Sequence, residues 1–161
     1  MDLREKLRTV QQQLPDLQRA LPRLPSAQEL HDNIVKYCIE FHDCTETVAR
    51  LENHLRLLRN SQEPVLHRSQ EAESLEWQSD LLRLRFLFIK SQLRTIFAIA
   101  PILVALKRTS AAEWATLMET QHKLDNNKPL LLRMDAIEVI TTDSLQTLDG
   151  IQLELKTLRK E

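Results

Sequence analysis

Residues 26–60 read SAQELHDNIVKYCIEFHDCTETVARLENHLRLLRN, and whether this stretch is one helix decides the fold. Ser26-Ala27-Gln28-Glu29 has the form of a capping box, in which the serine hydroxyl accepts from the Glu29 amide and the glutamate reaches back. From there Leu30, Ile34, Tyr37, Phe41, Cys44, Val48, Leu51, Leu55 and Leu58 recur in unbroken steps of four and three. Nothing before Pro64 interrupts them. The pattern predicts one helix over 26–60, roughly 52 Å long at 1.5 Å per residue. Val35, Cys38 and Ile39 widen its apolar stripe in the first half. The second half is a narrow seam flanked by Glu52, Asn53, His54, Arg56 and Arg59, the form taken by coiled-coil helices.

Toward the N-terminus the same spacing links Leu3, Leu7, Val10, Leu14, Leu17, Leu21 and Leu24, but Pro15, Pro22 and Pro25 break into it. A proline inside a helix costs about 3 kcal/mol. Residues 1–25 are therefore expected to be a short helix followed by a proline-rich joint, an arm that presents leucines. An ordinary linker is the alternative reading of 15–25.

Toward the C-terminus, residues 61–74 are mostly polar, contain Pro64 and read as a connection. Residues 75–108 carry two apolar sets. The first is Leu75, Leu82, Phe86, Ile89, Leu93, Ile96, Ala100 and Leu103, with Ser79 filling a gap; the second is Leu81, Leu84, Phe88, Ile99 and Ile102. Only a strip near Arg83, Lys90 and Arg94 is polar, so a helix buried within a bundle is expected, kinked at Pro101. Ser110-Ala111-Ala112-Glu113 is a second capping box and opens a short helix over 110–125, with Trp114, Leu117, Met118, Gln121 and Leu124 on one side. Asp125-Asn126-Asn127-Lys128-Pro129 stops it and starts another over 129–160. The seam of this last helix is Leu130, Met134, Ile137, Thr141, Ser144, Leu148, Ile151, Leu155 and Leu158, polar at its centre and weakened at Gly150.

The chain of 161 residues has a single glycine. Nucleotide-binding βαβ units and antiparallel hairpins draw on glycine at their turns, so the fold class expected is all-α: long coiled-coil-type helices in an elongated hairpin or bundle. The 22 basic and 23 acidic residues leave a net charge of −1, which gives no field for nucleic acid. Cys38 and Cys44 are expected to be reduced thiols of an intracellular protein. The opening MDLREKLR lacks the apolar core of a signal peptide. Thr95–Leu106 is an uncharged run of 12 residues, short of the ~20 a membrane span needs.

Few side chains invite chemistry. Cys38 and His42 share a helix face and would supply two metal ligands, but no second pair follows at a useful spacing. Arg83, Lys90 and Arg94 form a basic stripe, read either as a contact for an acidic surface or as the solvated strip of an amphipathic helix. Trp77 is the better candidate for a partner anchor and Trp114 for local packing. No nucleophile–histidine pair and no phosphate loop is recognisable, so no catalytic residue, metal site or cofactor is expected. The seams are unequal in width, and unequal seams suit separate chains. Leu30, Ile34, Tyr37, Phe41, Val48, Leu51, Leu55, Leu58, Leu130, Met134, Ile137, Leu148, Ile151, Leu155 and Leu158 are accordingly expected to bind partner helices, with Tyr37, Cys44, Thr141 and Ser144 setting register. A self-contained helical-bundle adaptor and a membrane-associated helical protein are the alternatives.

The stretch LLRLRFLFIKSQLRTIFAIAPILVALK, residues 81–107, followed by a shorter helix and a last coil, resembles the small subunits of augmin, the microtubule-branching complex of the spindle. Small kinetochore and dynactin subunits are similar for the same physical reason. The resemblance rests on hydrophobic pattern over about half the chain and carries over no individual residue. It implies a structural subunit that assembles with other coiled-coil chains, resides in the cytoplasm and on the spindle, reaches microtubules indirectly and helps recruit γ-tubulin.

Overall fold

The computed structural model describes residues 24–62, 64–119 and 132–160, together with residues 4, 5, 8, 9 and 12. Within these the protein is all-α. Its helices are α1 (Ala27–Arg59), α2 (Val65–Ala105), α3 (Ala111–Glu119) and α4 (Met134–Lys160). Residues 4, 5, 8, 9 and 12 are helical; the rest of the helix expected over 1–14 lies outside the described residues. The proline-rich joint at 15–23 and the segment 120–131, where the third helix was expected to stop and the last to start, lie outside the described residues.

Both capping serines do what their sequences ask. Ser26 Oγ accepts from the Glu29 amide at 3.1 Å and Ser110 Oγ from the Glu113 amide at 3.0 Å. The Glu113 carboxylate turns to the Thr109 hydroxyl, which donates to it at 3.0 Å. Each cap satisfies an amide that has no acceptor within its own helix.

The expected connection over 61–74 is corrected by the structure, because α2 already begins at Val65. Pro64 stands just ahead of the first turn, where its missing N–H has no helical acceptor to lose, and its carbonyl accepts from the Arg68 amide at 3.0 Å. His67 and Glu71, one turn apart, lie 3.0 Å from each other. Ala72 is fully buried and extends the seam one step back from Leu75. A segment that is polar on three sides is thus the first part of a helix whose fourth side is already in the core.

At its other end α2 runs through Pro101 to Ala105 and closes with paired hydrogen bonds, Lys107 N–H to Val104 carbonyl at 3.0 Å and Arg108 N–H to Leu103 carbonyl at 2.9 Å. This is the Schellman arrangement. Its left-handed position, normally glycine, is held by Lys107 at φ 58°.

The chain divides into two compact units. One, Met1–Lys36 with Arg94–Leu132, holds the first turns of α1, the last turns of α2, and α3. Its buried residues include Leu30, His31, Ile34, Ile96, Ala100, Leu103 and Thr109. An open pocket of about 590 Å³ lies between the start of α1 (Ser26, Ala27, Gln28) and the segment from Arg108 to Leu117.

The other unit, Tyr37–Leu93 with Arg133–Glu161, is a three-helix bundle. Phe41 of α1 meets Phe86 of α2 edge to face at 5.6 Å, Tyr37 meets Phe88 at 6.3 Å, and His54 lies 4.0 Å from Glu71. Position numbers rise on α1 as they fall on α2, so the two are antiparallel. By the same reasoning α4 is antiparallel to α2, since Glu76 pairs with Arg159 at 2.7 Å, Asp80 accepts from Gln152, and Arg83 pairs with Asp149. Arg59 of α1 reaches Glu154 of α4 at 3.2 Å.

Each of the three helices turns one 3-4 seam inward. On α1 it is Phe41, Cys44, Val48, Leu51, Leu55 and Leu58. On α2 it is Ala72, Leu75, Ser79, Leu82, Phe86, Ile89 and Leu93. On α4 it is Ile137, Thr141, Ser144, Leu148, Ile151 and Leu155. Burying a large apolar side chain contributes roughly 1.5–3 kcal/mol, while the exposed ion pairs around the rim add about 0–1 kcal/mol each. The seams hold this unit together.

Candidate interaction surface

The seam residues expected to bind other chains are instead the core of this one. Leu30, Ile34, Phe41, Val48, Leu51, Leu55, Leu58, Ile137, Leu148, Ile151 and Leu155 are buried within the single chain. Tyr37, Met134 and Leu158 are half-buried, and Leu130 lies outside the described residues. The expectation that unequal seams could not satisfy one another fails for a physical reason. Each helix needs to bury only one stripe toward its neighbours, and the long α2 supplies a matching stripe from Ala72 to Leu103.

A second expectation fails in the opposite direction. The helix over 75–108 was read as buried on most sides, yet α2 buries one side only. Trp77 is 66% exposed, Leu84 62%, Leu81 55% and Phe88 55%. These four lie in steps of four, three and four, about half a turn around the helix from the inner seam. They form a continuous apolar ridge some 16 Å long. Leu87 flanks it and is also exposed. Scattered exposed leucines are ordinary on protein surfaces, but an aligned ridge of large apolar groups is the mark of an interaction site.

The neighbours of the ridge are well fixed. On one side Arg83 is held by Asp149 and Asp80 by Gln152, both from α4. On the other side Tyr37 of α1 stands edge-on to Phe88. Tyr37 is therefore the shoulder of the outer ridge and not a member of the inner seam. Of the basic stripe, Arg83 is paired with Asp149, Lys90 is half-buried and Arg94 is exposed. Trp77, expected as the partner anchor, is the most exposed member of the ridge; Trp114 is half-buried on α3.

No protein-family model matches the chain, and searches of curated proteins and of solved structures return no significant match. The functional reading therefore rests on the surface itself.

The remaining candidates resolve into packing. Cys38 and Cys44 are buried free thiols. Burial pushes the Cys38 thiol up to about 12, and it raises Cys44 too, an effect the Arg85 guanidinium partly offsets. Thiols held protonated in this way are poor nucleophiles and poor ligands. His42 is turned to Glu46, 3.1 Å away. Among the described residues no cluster of three or more His, Cys, Asp or Glu is placed to hold a metal ion. By length and composition α2 is apolar enough to cross a membrane. The ionic and polar ties from Glu76, Asp80 and Arg83 to α4 would be costly to carry into lipid unless α4 came with them.

The sequence showed Leu81, Leu84 and Phe88 as part of a second apolar set but assigned them to internal burial, and it offered Trp77 separately as a partner anchor. The signal that separates the two sets is phase. Seam and ridge are each regular at 3-4 spacing and stand on opposite sides, so one flat neighbour cannot cover both.

Proposed function

We propose that this chain is a non-catalytic structural subunit that acts by helix–helix association, within a hetero-oligomeric coiled-coil assembly of the cytoskeleton or mitotic spindle. The observation that carries the reading is the outer ridge of α2, Trp77-Leu81-Leu84-Phe88, left in water by a bundle that has satisfied its other seams. Clusters of large apolar groups that include tryptophan and phenylalanine are typical anchors of protein interfaces. The resemblance of residues 81–107 to augmin small subunits supplies the cellular setting, with microtubule contact made through partner subunits and γ-tubulin recruitment as the outcome.

Burial of the inner seams also favours a second reading, a self-contained helical-bundle adaptor that uses the same ridge. Affinity purification of the tagged full chain from mitotic cells, compared with a Leu81→Asp/Leu84→Asp variant, separates the two. A subunit brings down a fixed set of coiled-coil proteins and localises to the spindle, and the variant loses both while its circular dichroism is unchanged. An unaltered set of co-purifying proteins with the variant would refute the ridge as the assembly surface. A chain recovered alone, stable and away from the spindle would favour the adaptor.

A further inference from the structure

We infer that the α2 ridge is covered by the same ridge of a second copy of this chain, the two helices running parallel and in register. The inference rests on the proposed role of the ridge as an association surface and names its occupant: the ridge pairs two copies, and the other subunits meet the resulting dimer, which the Leu81→Asp/Leu84→Asp variant cannot form. With Leu81 and Leu84 as the a and d positions of a heptad, Trp77 falls at the preceding d and Phe88 at the following a. The residues already buried in the bundle, Leu75, Ser79, Leu82 and Phe86, fall at b and f, so one frame accounts for both faces of the helix. In the same frame Asp80 is a g position and Arg85 the e position five residues later. Both side chains are at the surface, and the Gln152 amide that Asp80 accepts from engages only its Oδ1.

This g-to-e spacing is the one that bridges two helices in a parallel pair. Asp80 of each copy meets Arg85 of the other, and the two-fold axis makes the bridge twice. An antiparallel pair would set Asp80 against Leu87, wasting the charge. Tryptophan, leucine and phenylalanine layers would each meet their own kind, closing the ridge along its full length. The net charge of −1 opposes such pairing little. With four core layers the interface is small, and pairing is expected at chain concentrations of order 10 µM.

Sedimentation equilibrium of the full chain tests this. A reversible monomer–dimer equilibrium is expected. Asp80→Arg alone and Arg85→Asp alone each weaken it about tenfold, and the combined Asp80→Arg/Arg85→Asp variant restores it to within about threefold. Register is read by Leu84→Cys, which should form a self-disulfide under mild oxidation; Cys38 and Cys44 are buried and should not compete. Circular dichroism establishes that each variant is folded. A chain that stays monomeric at about 200 µM overturns the pairing, as does a combined variant no better than the single ones. Preferential disulfides between Leu81→Cys and Leu84→Cys chains overturn the parallel register. A monomer whose Leu81→Asp/Leu84→Asp variant still loses its co-purifying subunits defeats the pairing alone and leaves the proposed function standing. A dimer that accompanies no other subunit does the reverse.

Discussion

Phe86 and Phe88 are two residues apart on the same helix. Phe86 is wholly buried, edge-on to Phe41, while Phe88 keeps 55% of its surface in solvent and touches Tyr37 only at its flank. The two rings are chemically identical and share a local sequence, so the difference belongs to the helix face on which each stands. The inner face of α2 holds the bundle together. The outer face is similarly apolar, yet within the chain it does little for the fold. Apolar character alone thus does not distinguish a core from an interface; phase relative to the neighbouring helices does.

The sharpest way to break this comparison is to remove each ring in turn. Phe86→Ala leaves a cavity at the centre of the bundle and should destabilise the chain by about 3–5 kcal/mol. Phe88→Ala should cost less than about 1 kcal/mol. Urea unfolding, run at concentrations where the chain is monomeric, measures both. Equal losses would mean that the outer ridge belongs to the fold after all.

The dryness of the inner side has a pH signature. The Cys38 thiol is raised from an ordinary value of 9.0 to about 12 by burial. Below about pH 9 the thiol is protonated in both folded and unfolded chains and contributes no pH dependence. As pH climbs from there toward 12, the unfolded chain releases the proton and the folded chain does not, so the unfolded state is favoured and stability falls. Cys44 is raised in the same direction and adds to the slope. Cys38→Ala should flatten the alkaline fall in urea midpoint relative to the parent chain. An unchanged slope would show that water reaches the inner side.

Most of the fold was legible in the sequence because it is written in periodicity. The steps from Leu30 to Leu58 and from Ile137 to Leu155, and the capping serines Ser26 and Ser110, need no tertiary information. The start of α2 was not legible, since Ala72 is the only core residue among its first polar turns and a single alanine gives no period. Nor was the destination of the seams. A 3-4 stripe specifies that something must cover it but is silent about whether that is the same chain. Here the answer lay in the pairing of Phe41 with Phe86 and of Arg83 with Asp149, contacts between residues far apart in sequence. The outer ridge was visible as residues and invisible as a surface for the same reason.

Ser79 sharpens the comparison from the inner side. It occupies a core position between Leu75 and Leu82, fully buried, and its hydroxyl has no hydrogen-bond partner among the described residues. A buried hydroxyl in that state costs about 1–3 kcal/mol of desolvation. Ser79→Ala removes the polar group, loses little volume and is the better helix former. A gain of about 1 kcal/mol in unfolding free energy is expected. A loss would show that the hydroxyl is satisfied in solution and helps to set the register of α2 against its neighbours.

The smallest effect is expected where no side chain is covered at all. Gly150 lies within α4 on its exposed side, and a β-carbon built there would meet nothing within 4 Å. Only backbone entropy then separates glycine from alanine, since glycine has more freedom to lose on entering a helix. Gly150→Ala should stabilise the chain by about 0.5–1 kcal/mol, seen as a higher urea midpoint with an unchanged slope. It should leave self-association untouched, because α4 takes no part in the ridge. A substitution that weakened pairing would place the outer side of α4 in the interface and widen the surface beyond α2. One that destabilised the fold would mean that a neighbour already covers this position, and the division between covered and uncovered faces would have to be redrawn at α4.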